Sequence, residues 1–217
     1  MLKSRFDAVM EQRSTQLIEQ IGAWLPSRGP ILDLGSGTGH LSSRLERELG
    51  VEVVPVDVSD MHVMGRPPVL ITEGTLPFDD ETFSAALLIF MLHYPGDPVA
   101  LLAEASRVTR GPIILVQSVY SGRFGYTWLR VREFVWTYIA FHVSKLIGYV
   151  PSHAKFSMNA RRFYTAATLE RDVMKGGLRI RARRLRPVLP GGALMVAGWI
   201  LERDAARQTA SAVAEHA

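Results

Sequence analysis

The sequence predicts a doubly wound α/β fold, and three observations carry that prediction. From Pro30 onward short apolar runs alternate with helix-patterned segments. The runs are continuously apolar, as expected of strands covered on both faces, and a glycine-rich turn, "GSGTG" at 35–39, joins the first run to a helix. Seven runs are present and the last two are separated only by "LPGG", so the expectation is a mostly parallel seven-stranded sheet with helices on both faces and the last strand antiparallel. With 217 residues, 47% of them apolar, the chain fits one domain with a full core.

Each element follows in order. Phe6, Val9, Met10, Leu17, Ile18, Ile21 and Leu25 form a helical stripe ended by Pro26, a leading helix outside the sheet within 1–28. Residues 29–119 hold strand "PILDL", helix "HLSSRLEREL", strands "VEVVPVDV", "PPVLITEG" and "FSAALLIFML", helix "PVALLAEASRVTR" and strand "GPIILVQSV". The rhythm then breaks for an aromatic-rich helical insert, 120–163. Helix "TAATLERDVMKGG" and the strands "LRIRARRLRPV" and "ALMVAGWILER" occupy 164–203, and an Ala-rich polar tail, 204–217, reads as frayed.

Composition excludes several chemistries. Without cysteine there is no disulfide, thiolate zinc site or cysteine nucleophile. The first twenty residues carry charges throughout and lack the apolar core of a signal peptide, so they read as mature, cytoplasmic protein. The formal charge of +4 suits a solvated surface, and the arginines of "RIRARRLR" alternate as on a charge-guarded edge strand.

The glycine turn lets backbone approach a ligand closely at a helix N-terminus. Its spacing is G-x-G-x-G over Gly35, Gly37 and Gly39, and His40 stands where a dinucleotide fingerprint has its third small residue. Asp33 would repel a pyrophosphate and attract an ammonium group. Asp57, 18 residues beyond Gly39, ends the second strand where a carboxylate takes ribose hydroxyls.

"ILDLGSGTG", followed by "GTLPFDDETFSAALLIFMLHY" and "LLAEASRVTRGPIILVQS", resembles class I S-adenosylmethionine-dependent methyltransferases of the small-molecule and lipid type, whose fold is Rossmann-like. The resemblance implies S-adenosyl-L-methionine as cofactor. It places Asp33, Gly35, Ser36, Gly37 and Gly39 around the methionine part, Asp57 and Val58 at the ribose, and Glu73, Gly74, Thr75 and Leu76 around adenine, with the backbone of Phe90 touching the cofactor. Two departures, Ser84 in place of an Asp and "TRGPII" in place of a Pro-Gly-Gly turn, fall at fold positions.

His93, just past the fourth strand, is the candidate general base for a hydroxyl or acidic-carbon acceptor, with Tyr94 the lesser alternative; a pocket-shaping His93 is the competing reading. No metal set stands out. The lack of an Asn-Pro-Pro-Tyr or Asp-Pro-Pro-Tyr segment and of cysteine disfavours nucleic acid as acceptor. The insert admits three readings. As a lid, Trp128, Phe134, Trp136 and Tyr138 would line a site for an apolar or aromatic acceptor; as a peripheral membrane contact, Arg130, Arg132 and Lys145 would meet anionic headgroups; otherwise it is core or a dimer interface. It does not span a bilayer, because only 11 residues separate Glu133 from Lys145 where about 20 apolar ones are needed. The expected function is methyl transfer to a hydroxyl or carbon of a small acceptor. The alternatives are a non-catalytic cofactor-binding module and, against the Asp33 and glycine evidence, a nicotinamide-dependent oxidoreductase.

Overall fold

The apolar runs do form strands, and all seven join one sheet. In the structure, a computed structural model that describes residues 2–72, 74–154 and 160–204, these are β1 (Ile31–Leu34), β2 (Val53–Asp57), β3 (Val69–Leu70), β4 (Ala85–Ile89), β5 (Ile113–Tyr120), β6 (Leu178–Pro187) and β7 (Leu194–Arg203). Their order is β3-β2-β1-β4-β5-β7-β6. The first five pair in parallel, and β7 lies antiparallel between β5 and β6, as expected for the last strand. The tight turn at Pro190–Gly192, with Gly191 and Gly192 at φ +69° and +70°, forces this reversal.

Helices cover both faces. α1 (Leu2–Ile21) and α2 (His40–Leu49) pack on one side, where Leu17, Ile21, Leu41 and Leu45 meet Ile31, Leu87 and Ile114. On the other, α3 (Pro98–Val108) and α6 (Ala166–Lys175) bury Leu101, Leu102, Leu169 and Val173 against Leu32, Leu88, Leu115 and Trp199. α3 starts where Asp97 accepts the N–H groups of Val99 and Ala100, both at 3.0 Å, with Pro98 in the first turn. Thr165 and Thr168 cap α6 reciprocally.

The two sequence departures are structural. Ser84 donates its hydroxyl to Pro30 O at 2.8 Å, and a side chain at Gly111 would run into Ser84 O. The arginines of β6 stand on an exposed edge in ion pairs, Arg179 and Arg181 each 2.9 Å from Glu202 of β7 and Arg183 3.0 Å from Glu170 of α6.

Strand order reverses between β1 and β4, so the chain leaves the carboxyl edge of the sheet in opposite directions and opens a crevice there. The insert crosses that crevice. It is one helical rod built of α4 (Gly122–Phe134), a π-helical turn (Val135–Ala140) and α5 (Phe141–Leu146). Gly125 seats its start, since a Cβ there would come within 1.9 Å of Ala193 O at the entry to β7. At the far end Tyr149, Val150 and Ala154 pack on Phe6 of α1 and on Met61 and Val63 after β2.

Gly125→Ala should therefore push α4 off the sheet, an overpacking effect of about 1–3 kcal/mol that lowers Tm by about 5 °C in thermal denaturation. An unchanged Tm would show that the contact with Ala193 is not tight.

Candidate functional site

A large cavity, about 1140 Å³, lies at the carboxyl edge beneath the insert. Its floor is the loop after β1. Gly35, Gly37 and Gly39 all take positive φ, +80°, +59° and +80°, which only glycine adopts without strain. Their surroundings separate their roles. A Cβ on Gly37 would meet nothing within 4 Å, so the loop exposes bare backbone to the cavity; one on Gly35 would press on Met91, and one on Gly39 would strike Met64 O at 2.4 Å. Gly39 is thus a packing glycine at the start of α2 and does not line the cavity.

Two acids stand behind this loop. Asp33, in the middle of β1, is 2% exposed and accepts the hydroxyl of Ser42. Burial pushes its carboxyl up to about 6, opposed by the Ser42 bond and reinforced by the charge of Asp57. Asp57, at the end of β2, accepts the backbone N–H of Gly37 at 2.9 Å, Val58 at 2.7 Å and Ser59 at 3.3 Å. Burial raises its pKa, against those three bonds. Both carboxylates border the cavity, with Ser36, Val58, Gly74 and Phe90. Ser36 is also held by His62, at 2.9 Å, a contact that no spacing in the sequence announces.

The residues expected around adenine are divided. Gly74 borders the cavity, Thr75 is exposed outside it, and Glu73 lies outside the described residues. Leu76 is a correction: it is 1% exposed in the main core, its N–H held by Glu104 at 2.9 Å, and it does not border the cavity. The apolar residue of a Leu-Pro-Phe segment is drawn inward by the hydrophobic effect.

The opposite end of the cavity is built by β4, β5 and the insert. His93 is 4% exposed, Nδ1 lies 2.7 Å from Gln117 Nε2 on β5 and Nε2 lies 3.4 Å from Glu133 Oε2 on α4. Gln117 and Glu133 thus hold the imidazole from its two nitrogens. Burial works against ionising Glu133, but His93 and Arg132 outweigh it and hold the carboxyl at about 2. Arg132 reaches Glu133 at 2.9 Å and Ser118 Oγ at 2.6 Å. Tyr94 packs against His93 with ring centroids 4.0 Å apart and planes tilted by 46°, and burial followed by the charge of Glu133 pushes its hydroxyl up to about 12. Glu133, Gln117 and Arg132 were not singled out as a cluster by sequence reasoning, because their meeting depends on how the insert folds back.

Of the insert's aromatics, only Trp136 among those expected to line the acceptor site does so. Trp128, Phe134 and Tyr138 are a correction: they lie on the outer face, 46%, 56% and 40% exposed. Arg132, Trp136, Ala140 and Ser144 line the cavity at a spacing of four, beside Glu133, Thr137 and Phe141. An α-helix advances 3.6 residues per turn and would drift off this face, but the wider π turn at 135–140 restores the spacing. Aromatic mass alone cannot disclose which face a helix turns inward.

α1 supplies the remaining wall through Phe6, Met10, Arg13, Ser14 and Leu17. Arg13 occupies a core-facing position of an amphipathic stripe, between Met10 and Leu17 on one helix face. Among the described residues no group of three His, Asp or Glu could hold a metal ion, and no helix is long and apolar enough to cross a membrane.

Comparison with known proteins agrees with this geometry. Residues 32–112 match the family described as "Methyltransferase domain". An uncharacterized methyltransferase of Mycobacterium tuberculosis is 36% identical over 109 residues, 46% of this chain and 43% of the relative. The demethylmenaquinone methyltransferase of Tropheryma whipplei is 29% identical over 137 residues, 56% of this chain and 54% of the relative. The chain thus matches about half the length of these curated relatives. Among solved structures, the geranyl diphosphate C-methyltransferase of Streptomyces coelicolor, determined with S-adenosyl-L-homocysteine, shares the fold at a TM-score of 0.59 with 14% identity, over 87% of this chain and 80% of that one. Residues 32–112 thus carry a methyltransferase domain, and the strand order and the glycine loop with its two acids support a class I S-adenosylmethionine-dependent methyltransferase.

Proposed function

We propose that this chain transfers the methyl group of S-adenosyl-L-methionine to a hydroxyl or carbon of a small, largely apolar acceptor. One observation carries the reading: a single cavity joins the bare glycine loop and its two acids to a chamber walled by the insert. Its roughly 1140 Å³ exceeds the range of about 300–1,000 Å³ for one small ligand, which suits two molecules side by side. The chamber's apolar lining, Ile89, Met91, Val135, Trp136 and Phe141, supports an apolar acceptor body.

The residues fit the cofactor. Asp33 is a buried carboxylate without a cationic partner among the described residues, and an ammonium would relieve it. Asp57 keeps lone pairs for ribose hydroxyls beyond its three backbone bonds. Ser36, Gly37, Val58, Gly74 and the backbone of Phe90 complete that end. When bound, the cofactor supplies a methyl group on a cationic sulfonium, an electrophile that needs orientation and exclusion of water more than activation. The insert provides the exclusion. For a hydroxyl or acidic-carbon acceptor, the proton passes to the imidazole of His93, and the Glu133 carboxylate, 3.4 Å from Nε2, stays ionised and stabilises the imidazolium that forms.

A second reading concerns location: the outer face of the insert binds an anionic bilayer. Phe124 and Leu146 are 67% and 87% exposed, Trp128, Val131, Phe134 and Ile139 continue the stripe between them, and Arg123 and Arg130 flank it.

Three outcomes are expected. S-adenosyl-L-homocysteine binds the ionised form of Asp33, so its affinity should rise about tenfold per pH unit below about 6 and level off above it, and Asp33→Asn should flatten that limb; calorimetric titration across the range, flat for the native protein, would remove the ammonium contact. Glu133→Gln and His93→Ala should each lower turnover about 100-fold over a panel of hydroxyaromatic acceptors with homocysteine-product affinity nearly constant, and normal turnover in both would return the pair to a structural role. The double variant Trp128→Ser, Phe134→Ser should lose co-sedimentation with phosphatidylcholine–phosphatidylserine vesicles; the native protein remaining in the supernatant would end the bilayer reading.

A further inference from the structure

The acceptor chamber holds a cation that the protein does not neutralise. Arg13 projects from α1 between two aromatic rings, its guanidinium carbon 4.7 Å from the ring centre of Phe90 and 5.5 Å from that of Trp136. Among the described residues no carboxylate lies within ion-pair distance of it, and no hydrogen bond uses its N–H donors. Glu133, the acid whose charge bears on it, is already committed to Arg132 at 2.9 Å and to His93 at 3.4 Å. Burial, followed by the like charge of Arg132, lowers the pKa of Arg13 while Glu133 and Tyr94 only partly offset the loss.

The surroundings show that this placement is built. Phe90 sits in the left-handed region at φ +54°, a strained conformation for a bulky residue, and its ring lies under the guanidinium. Stacking on rings leaves an arginine's in-plane N–H fork available, the geometry that pairs with carboxylate, sulfonate or phosphate oxygens. Trp136 belongs to the insert, so the fork beside it lies at the acceptor end of the cavity.

We infer that the chamber takes an acceptor bearing an anionic group, a carboxylate, sulfonate or phosphate, gripped by Arg13 while its apolar body lies along the insert. The inference rests on the acceptor chamber assigned above and narrows it: the acceptor is an amphiphile with one acidic end. The methionine carboxylate of the cofactor is the other anion that could reach this fork, and the experiment separates the two.

The test titrates 2-naphthoate and its neutral counterpart 2-naphthamide calorimetrically into the native protein, with and without saturating S-adenosyl-L-homocysteine. Naphthoate should bind the native protein about tenfold or more tightly than naphthamide. Arg13→Met should bring the two within about twofold, Arg13→Lys should keep part of the preference, and both variants should retain native affinity for S-adenosyl-L-homocysteine, which also certifies their folding. Equal binding of the two probes by the native protein, no binding of naphthoate, or a preference that survives Arg13→Met overturns the proposal. A tenfold loss of S-adenosyl-L-homocysteine affinity in Arg13→Met with the naphthoate preference intact overturns it as well, and gives the fork to the cofactor's carboxylate. If the native protein fails to bind S-adenosyl-L-homocysteine, the cofactor reading falls, and the unloaded titrations decide the anion site by the same comparison.

Discussion

The carboxylate of Asp57 holds the site together. By accepting the N–H of Gly37 it ties the loop after β1 to the end of β2, while Gly35 and Ser36 donate to Val56 O at 2.8 and 3.2 Å. The loop is thereby folded over one neighbour of β1 and away from the other, β4. What the reversal of strand order permits, this bond enforces: an open crevice on the β4 side, with bare glycine backbone on its floor. A carboxylate buried this deeply would be expensive without its three N–H partners, so loop geometry and acid stabilise one another.

Charge is sorted along the cavity. The end under the glycine loop has Asp33 and Asp57, neither in a salt bridge among the described residues; the end under the insert has Arg13, with Arg132 paired to Glu133. In a half-enclosed, largely apolar space such a gradient is weakly screened, and it orients ligands before contact. The arrangement suits a cationic partner at one end and an anionic one at the other, with the strained ring of Phe90 at the boundary.

Much of this was legible in the sequence, for physical reasons that differ by element. Continuous apolar runs identify strands buried on two faces, and "LPGG" gives away the one reversal, so sheet composition and the direction of β7 were accessible. The glycine spacing and Asp33 disclosed the character of the loop because backbone conformation and charge are local properties. Leu76 and Gly39 misled for the opposite reason: their surroundings are made by Glu104 and Met64, which are distant in sequence. The His93, Gln117 and Glu133 contacts bring together β4, β5 and the insert, and no spacing rule reports such a meeting. Arg13 was readable as a charge on an apolar stripe, and its meaning emerged only with the rings that enclose it.

The π turn at 135–140 has a consequence for how such a chamber changes. A π turn is an α-helix carrying one residue too many, so the insert's inward and outward faces are set against each other by a single residue. Losing that residue would turn everything downstream by about 100°, carrying Phe141 and Ser144 off the cavity wall and bringing neighbours now on the exposed stripe inward. The lining of this chamber is therefore indexed like a vernier, and descendants could exchange one set of wall residues for another by a change in length, with no substitution at all.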